Sequence, residues 1–116
     1  MQFHQLINPE TMSEYVDMLP GAVISRSITD GGLTDLEGGH VKWVEDAPMH
    51  GLLGYDEIIY VEHGEVEMST QDGSFVARAG DSFVLKAGAD AHYFAKAGTQ
   101  VFFITHATTH DPAPSA

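Results

Sequence analysis

The sequence contains no cysteine, which limits the chemistry open to the chain. Without a thiol there is no disulfide, no thiolate nucleophile and no zinc–thiolate site. Any metal ion would have to be held by imidazole nitrogen and by oxygen ligands.

Basic residues are also scarce. Five Lys and Arg residues stand against seventeen Asp and Glu residues, which gives a formal net charge of -12. Such a charge opposes binding to nucleic acid or to an anionic membrane surface. We therefore expect small molecules, cations or proteins as ligands, and neither nucleic acid nor membrane.

The sequence also has no apolar run that approaches membrane-spanning length. The first residues, MQFHQLINPETMSEY, lack the basic region and apolar core that are typical of a secretory signal. A cytoplasmic protein is therefore expected. A chain of 116 residues that is 43% hydrophobic can bury one compact core, which predicts a single domain.

Residues 1–21 are expected to form a short helical segment that packs on the outside of the core. Asn8 before Pro9 resembles a helix N-cap. Apolar side chains then recur at helical spacing as far as Pro20-Gly21, at Met12, Tyr15, Val16 and Leu19.

From residue 22 to residue 107 the chain consists of short runs rich in β-branched and aromatic residues, separated by Gly and Asp. Seven or eight strands at this spacing predict an all-β sandwich or barrel. Gln71-Asp72-Gly73 predicts a tight hairpin with a type I′ turn. Residues 108–116 are rich in Pro and Ala, and we expect them to form a flexible tail.

Two segments share a glycine-centred spacing. In YDEIIYVEHGEVEM, Glu57 precedes Gly64 by seven positions, and AGDSFVLKAGADAHYF runs from Gly80 through Gly88 to His92. These segments resemble the two motifs of the cupin superfamily and are most similar to its ethanolamine-utilisation EutQ family. The resemblance implies a single-domain, jelly-roll-like β-barrel over residues 22–107, and a homodimer.

The cupin resemblance also implies a metal site of imidazoles and a carboxylate in the barrel mouth. The family pattern places His-x-His three or four residues before the Glu. With the four-residue spacing, His50 takes the first histidine position and Leu52 the second. The histidine of the second motif normally lies three positions after the glycine, at Ala91 here, whereas His92 comes one later. A one-residue bulge or a longer turn would restore the inward direction of His92, because a shift by one residue on a regular strand reverses the face.

The expected metal ligands are therefore His50, Glu57 and His92, with His40 as a substitute for the missing histidine. Imidazole and carboxylate donors favour Fe, Mn, Ni or Zn. The alternative is a site without metal, in which His92 points outward and Glu57 is a hydrogen-bonded buried acid.

Two functions remain open from the sequence. The first is an enzyme that binds a small polar metabolite and carries out lyase, isomerase or dioxygenase-type chemistry, with Glu57, His50 and Tyr55 as catalytic residues. Tyr60 and Tyr93 are weaker candidates for the same hydroxyl role. The second is a non-catalytic module of a catabolic pathway that binds a metabolite or supports assembly, with a degenerate, metal-free site.

Overall fold

Ten strands form two antiparallel sheets in the computed structural model, which describes residues 3–10 and 14–106. A single turn of 3-10 helix, Thr29–Gly31, lies between the second and third strands. In chain order the strands are β1 (Val16–Leu19), β2 (Ala22–Ser25), β3 (Leu36–Trp43), β4 (Ala47–Leu52), β5 (Glu57–His63), β6 (Glu65–Thr70), β7 (Gly73–Arg78), β8 (Ser82–Leu85), β9 (Asp90–Ala95) and β10 (Gln100–His106).

One sheet has six strands in the order β1-β2-β3-β10-β5-β8, and the other has four in the order β4-β9-β6-β7. The last strand, β10, lies between β3 and β5, so the centre of the six-stranded sheet is formed by strands that are far apart in the sequence. This architecture confirms the predicted all-β fold class. No helix in the described part of the chain has the length and apolar character needed to span a bilayer. The cytoplasmic location stays a prediction.

The hydrophobic core lies between the two sheets. Successive residues on a strand point to opposite faces, so alternate positions are buried, as on β5, where Ile59 and Val61 are buried. Trp43 is among the largest fully buried side chains. Its indole N–H donates to the Ala47 carbonyl oxygen at 3.2 Å, which satisfies the polar atom inside the core.

The predicted N-terminal helix is wrong. Val16–Leu19 forms β1, which pairs with β2 across a tight turn where Gly21 has a φ of 92°. The register shifts between Asp17 and Leu19, as in a β-bulge. Because helix propensity is a weak local preference, pairing with β2 overrides it. Met12 and the predicted tail at 108–116 lie outside the described residues.

The described residues form ten strands where seven or eight are predicted, and β4 is one that lacks the Val, Ile, Thr, Phe, Tyr and Trp residues on which the prediction rests. Its sequence, APMHGL, contains Pro48 and Gly51, which both disfavour a strand. It lies at the edge of the four-stranded sheet and pairs only with β9 there. A proline is tolerated at an edge because fewer backbone N–H groups are needed for pairing.

The hairpin predicted at Gln71-Asp72-Gly73 is present, and Thr70 pairs with Gly73 across it. The predicted turn type is wrong. A type I′ turn requires positive φ at both central residues, which here are Gln71 and Asp72. No non-glycine residue in the described chain has a positive φ, and Gly73 takes that conformation instead.

Gly39 on β3 provides a test of the packing between β3 and the end of β2. A Cβ atom at this position would lie 1.7 Å from the Ser25 carbonyl oxygen. We therefore expect Gly39→Ala to lower the free energy of unfolding by about 3 kcal/mol, measured by urea denaturation. The matched control is Gly31→Ala, where the nearest atom would be 3.9 Å away and the expected change is within about 0.5 kcal/mol. Equal losses in the two variants would contradict the close approach.

Candidate functional site

A cavity of about 250 Å³ lies between the two sheets. This volume is below the range of roughly 300–1,000 Å³ of sites for drug-sized ligands, so it suits a smaller molecule. The lining is mainly apolar and includes Met18, Trp43, Met49, Leu53, Ile59 and Phe103. Polar and charged residues also border it: Arg26, His50, Tyr55, Glu57 and Tyr93.

Glu57 is the carboxylate of this cavity. It begins β5 and shares the inward face of that strand with Ile59 and Val61. Burial raises the pKa of Glu57 to about 7, because the charged form loses its hydration, and a hydrogen bond from Tyr93 offsets part of this rise. Glu57 is therefore present in both protonation states near neutral pH.

Tyr93 on β9 faces Glu57 across the cavity. Its hydroxyl donates to Glu57 Oε1 at 3.4 Å, which is long for an O–H···O hydrogen bond. Burial and then the negative charge of Glu57 raise the pKa of Tyr93 above its ordinary value, so the phenol stays protonated. Tyr55 lines the same cavity. The structure thus places the predicted Tyr55 at the site and gives Tyr93 the direct contact with Glu57.

His50 and His92 lie on the outer face of the four-stranded sheet. They are cross-strand partners on β4 and β9, which pair without a register shift, so no bulge turns His92 inward. His50 borders the cavity, but its side chain is 45% exposed and stacks on His92, with ring centroids 4.1 Å apart. The inward positions of β4 are instead the alternate ones, such as Met49 and Gly51.

Asp90 completes this outer cluster. His50 Nε2 lies 2.5 Å from Asp90 Oδ1, and His92 Nε2 lies 3.5 Å from the same oxygen. The hydrogen bond from His50 is the main cause that holds the pKa of Asp90 below its ordinary value. Sequence reasoning missed Asp90. The signal was its position two residues before His92, because residues i and i+2 on a strand share a face.

His40 does not reach the cavity. It pairs with Phe102 on β10, which in turn pairs with the exposed Tyr60, so all three lie on the outer face of the six-stranded sheet. His40 is buried there, with Nδ1 2.8 Å from Glu62 Oε1. Gln100 Nε2 donates to the same carboxylate oxygen at 2.8 Å. His40 therefore stands on the opposite side of its sheet from Glu57.

These positions bear on the interior metal site that the cupin motifs imply. The cupin pattern also allows three residues between His-x-His and the Glu. With that spacing the two histidine positions fall on Gly51 and Leu53, which are both buried. The position in the second motif, Ala91, is buried as well. Glu57 lies inside the barrel while the imidazoles of His50 and His92 lie outside it, so the described residues do not fit an interior site of imidazoles and carboxylate.

Comparison with known proteins identifies the fold. No protein-family model and no curated protein matches the chain. An RmlC-like cupin from Shewanella frigidimarina matches with a TM-score of 0.73 and 18% identity over 93% of this chain and 95% of that one. EutQ from Clostridium difficile matches with a TM-score of 0.67 and 17% identity, over 77% of this chain and 70% of that one. The polyketide cyclase RemF from Streptomyces resistomycificus matches with a TM-score of 0.73 and 13% identity, over 96% of this chain and 84% of that one.

The chain therefore has a cupin fold. Its similarity to EutQ agrees with the resemblance in the two motifs. At these identities the similarity establishes the fold alone, because one fold supports many activities.

The raised pKa of Glu57 predicts a pH dependence of stability. The folded state keeps a proton that the unfolded chain has released between pH 4.5 and about 7, so stability decreases as pH rises through this window. Relative to Glu57→Gln, the wild type should lose up to about 3 kcal/mol of unfolding free energy from about pH 5 to about pH 8. Urea denaturation at both pH values measures this difference.

The matched control is Glu67→Gln, on the exposed outer face of β6. Its stability difference from the wild type should stay constant across the same pH range. A pH-independent difference between wild type and Glu57→Gln would refute the raised pKa.

Proposed function

We propose that the chain binds a small, mainly apolar carbonyl compound in the cavity and that Glu57 transfers a proton at the carbon next to the carbonyl. The main support for this proposal is Glu57, which faces the cavity and has a pKa of about 7. The Tyr93 hydroxyl lies 3.4 Å from its Oε1 atom. A general acid or base is most effective when its pKa lies near the working pH.

The two side chains would divide the reaction between them. The Glu57 carboxylate takes the proton from carbon, the C–H electron pair forms a C=C bond, and the carbonyl π pair moves onto oxygen. Tyr93, as a protonated phenol, donates a hydrogen bond to that oxygen as its negative charge develops. Glu57 then returns a proton to the same carbon as the carbonyl re-forms, so the cycle balances as proton exchange at that carbon and needs no oxidant.

The ligand's shape follows from the lining. Apolar side chains such as Trp43, Met49 and Phe103 favour an aliphatic or aromatic body. Arg26 is exposed and borders the cavity, so it supplies a cation for an anionic group at the entrance. An oxo acid with an apolar side chain combines these features.

A non-catalytic binding module is the second candidate, and the largely apolar lining of the cavity favours it. In that case the ligand would be held by burial alone, and Glu57 would act only as a hydrogen-bonding group. The two candidates differ in whether bound ligand exchanges protons with solvent.

The experiment is a proton-exchange assay with a panel of oxo acids that carry aliphatic or phenyl side chains. In D₂O, NMR measures the replacement of hydrogen by deuterium at the carbon next to the carbonyl. We expect the wild type to catalyse this exchange for at least one compound. Glu57→Gln should lower the rate at least about 100-fold, because general acid–base groups contribute roughly 10²–10⁴-fold. Tyr93→Phe should lower it less.

Glu67→Gln is the matched control and should exchange at the wild-type rate. Calorimetric titration of the same compounds separates the two candidates. Binding without exchange would support the module and refute the enzyme. The absence of both exchange and binding across the panel would refute both candidates for this class of ligand.

We also propose that the chain forms the homodimer implied by its cupin resemblance. The outer face of the six-stranded sheet exposes neighbouring apolar side chains, since Ile58 pairs with Val84 and Tyr60 follows on the same face. Val84→Asp should shift the protein from dimer to monomer in light scattering. Val44→Asp changes a similarly exposed valine on the chain after β3 and should leave the dimer intact. A monomeric wild type would contradict the proposal.

A further inference from the structure

The cluster of His50, Asp90 and His92 outside the barrel has no role in the proton transfer proposed for the cavity. We infer that these three side chains bind one divalent transition-metal ion on the outer face of the four-stranded sheet. This site is separate from the interior one that the cupin motifs imply, and it does not depend on the proposed function.

The strand pairing brings the donors together before any ion binds. His50 and His92 are directly opposite each other on β4 and β9, and Asp90 shares the face of His92 two residues earlier. Each of the three offers one ligand atom, and these atoms all lie within 4.8 Å of one another. Donors on paired strands are held more precisely than donors on loops.

The distances match a small ion after a local adjustment. Zinc–nitrogen and zinc–oxygen bonds of about 2.0–2.2 Å in a tetrahedron place donor atoms roughly 3.4 Å apart. His92 Nε2 and Asp90 Oδ1 are already 3.5 Å apart. His50 Nε2 and Asp90 Oδ1, at 2.5 Å, are joined by a hydrogen bond. The ion would replace that proton and move the two atoms apart by about 1 Å.

The backbone at Asp90 is held in place by a neighbouring side chain. Gln71 Oε1 accepts from the Asp90 N–H at 2.8 Å, and Gln71 Nε2 donates to the Gly88 carbonyl oxygen at 2.9 Å. These two bonds fix the chain where it enters β9. Such outer contacts orient metal ligands and reduce the ordering that binding requires.

The donor set selects the kind of ion. Two imidazoles and one carboxylate suit Zn²⁺, Ni²⁺ or Cu²⁺, whereas Mg²⁺ and Ca²⁺ prefer sites made of oxygen alone. All three side chains are about half exposed, so water can complete the coordination. The net charge of -12 also favours the approach of a cation.

The test is calorimetric titration of ZnCl₂ into the metal-free full chain, with MgCl₂ as the comparison ion. We expect one Zn²⁺ per chain and no Mg²⁺ binding. His50→Ala, His92→Ala and Asp90→Asn should each weaken Zn²⁺ binding at least tenfold, because loss of an outer contact alone costs about 10- to 100-fold. Zn²⁺ should raise the midpoint of thermal unfolding of the wild type and not that of His92→Ala.

Two further variants locate the ion. His63→Ala removes an exposed histidine outside the cluster and should bind Zn²⁺ like the wild type. Glu57→Gln removes the carboxylate of the cavity and should also bind normally. Loss of binding in Glu57→Gln would place the ion inside the barrel and overturn the inference. Wild-type affinity in His92→Ala would overturn it as well, since it would leave only adventitious binding.

Discussion

Successive side chains of a strand point to opposite faces of its sheet. Because β4 and β9 pair without a register shift, this alternation decides which of their residues face the cavity and which face the outside. Gly51 and Tyr93 line the cavity, and Ala91, the partner of Gly51 in that register, is buried on the same inner face. His50 and His92, one residue away, face the outside. The same two strands therefore form an inner wall that is mostly apolar and an outer wall that carries imidazoles and a carboxylate.

The acid–base character of the cavity comes from one carboxyl group placed among apolar side chains. Glu57 would ionise readily in water, but burial raises its pKa to about 7. Tyr93 supplies a hydrogen bond that cannot fully replace hydration, since its hydroxyl is 3.4 Å from the carboxylate. The destabilisation of the charged form is thus a property of the folded state, of the kind often found where proton transfer occurs.

Much of the fold was predictable because it depends on backbone conformations that only glycine adopts easily. Gly64 and Gly88 lie in turns with positive φ, and the two cupin-like motifs are centred on these glycines. The site was less predictable, because one residue of spacing decides whether His50 or Gly51 points inward, and only the register of β4 settles that. Strand β4 itself escaped prediction through Pro48 and Gly51, and β1 through apolar spacing that also fits a helix.

The small size of the inward residues on β4 and β9 has a consequence for how the two walls can change. Gly51 lines the cavity and, with the three-residue spacing, stands where the cupin pattern has an imidazole, so part of the cavity is the room that this ring would occupy. Enlarging Gly51 would reshape the ligand space and leave His92 untouched, while replacing His92, which does not line the cavity, would leave that space unaltered. Mutation can therefore adjust the two faces of this sheet independently, so that one pair of strands can be selected for two separate properties.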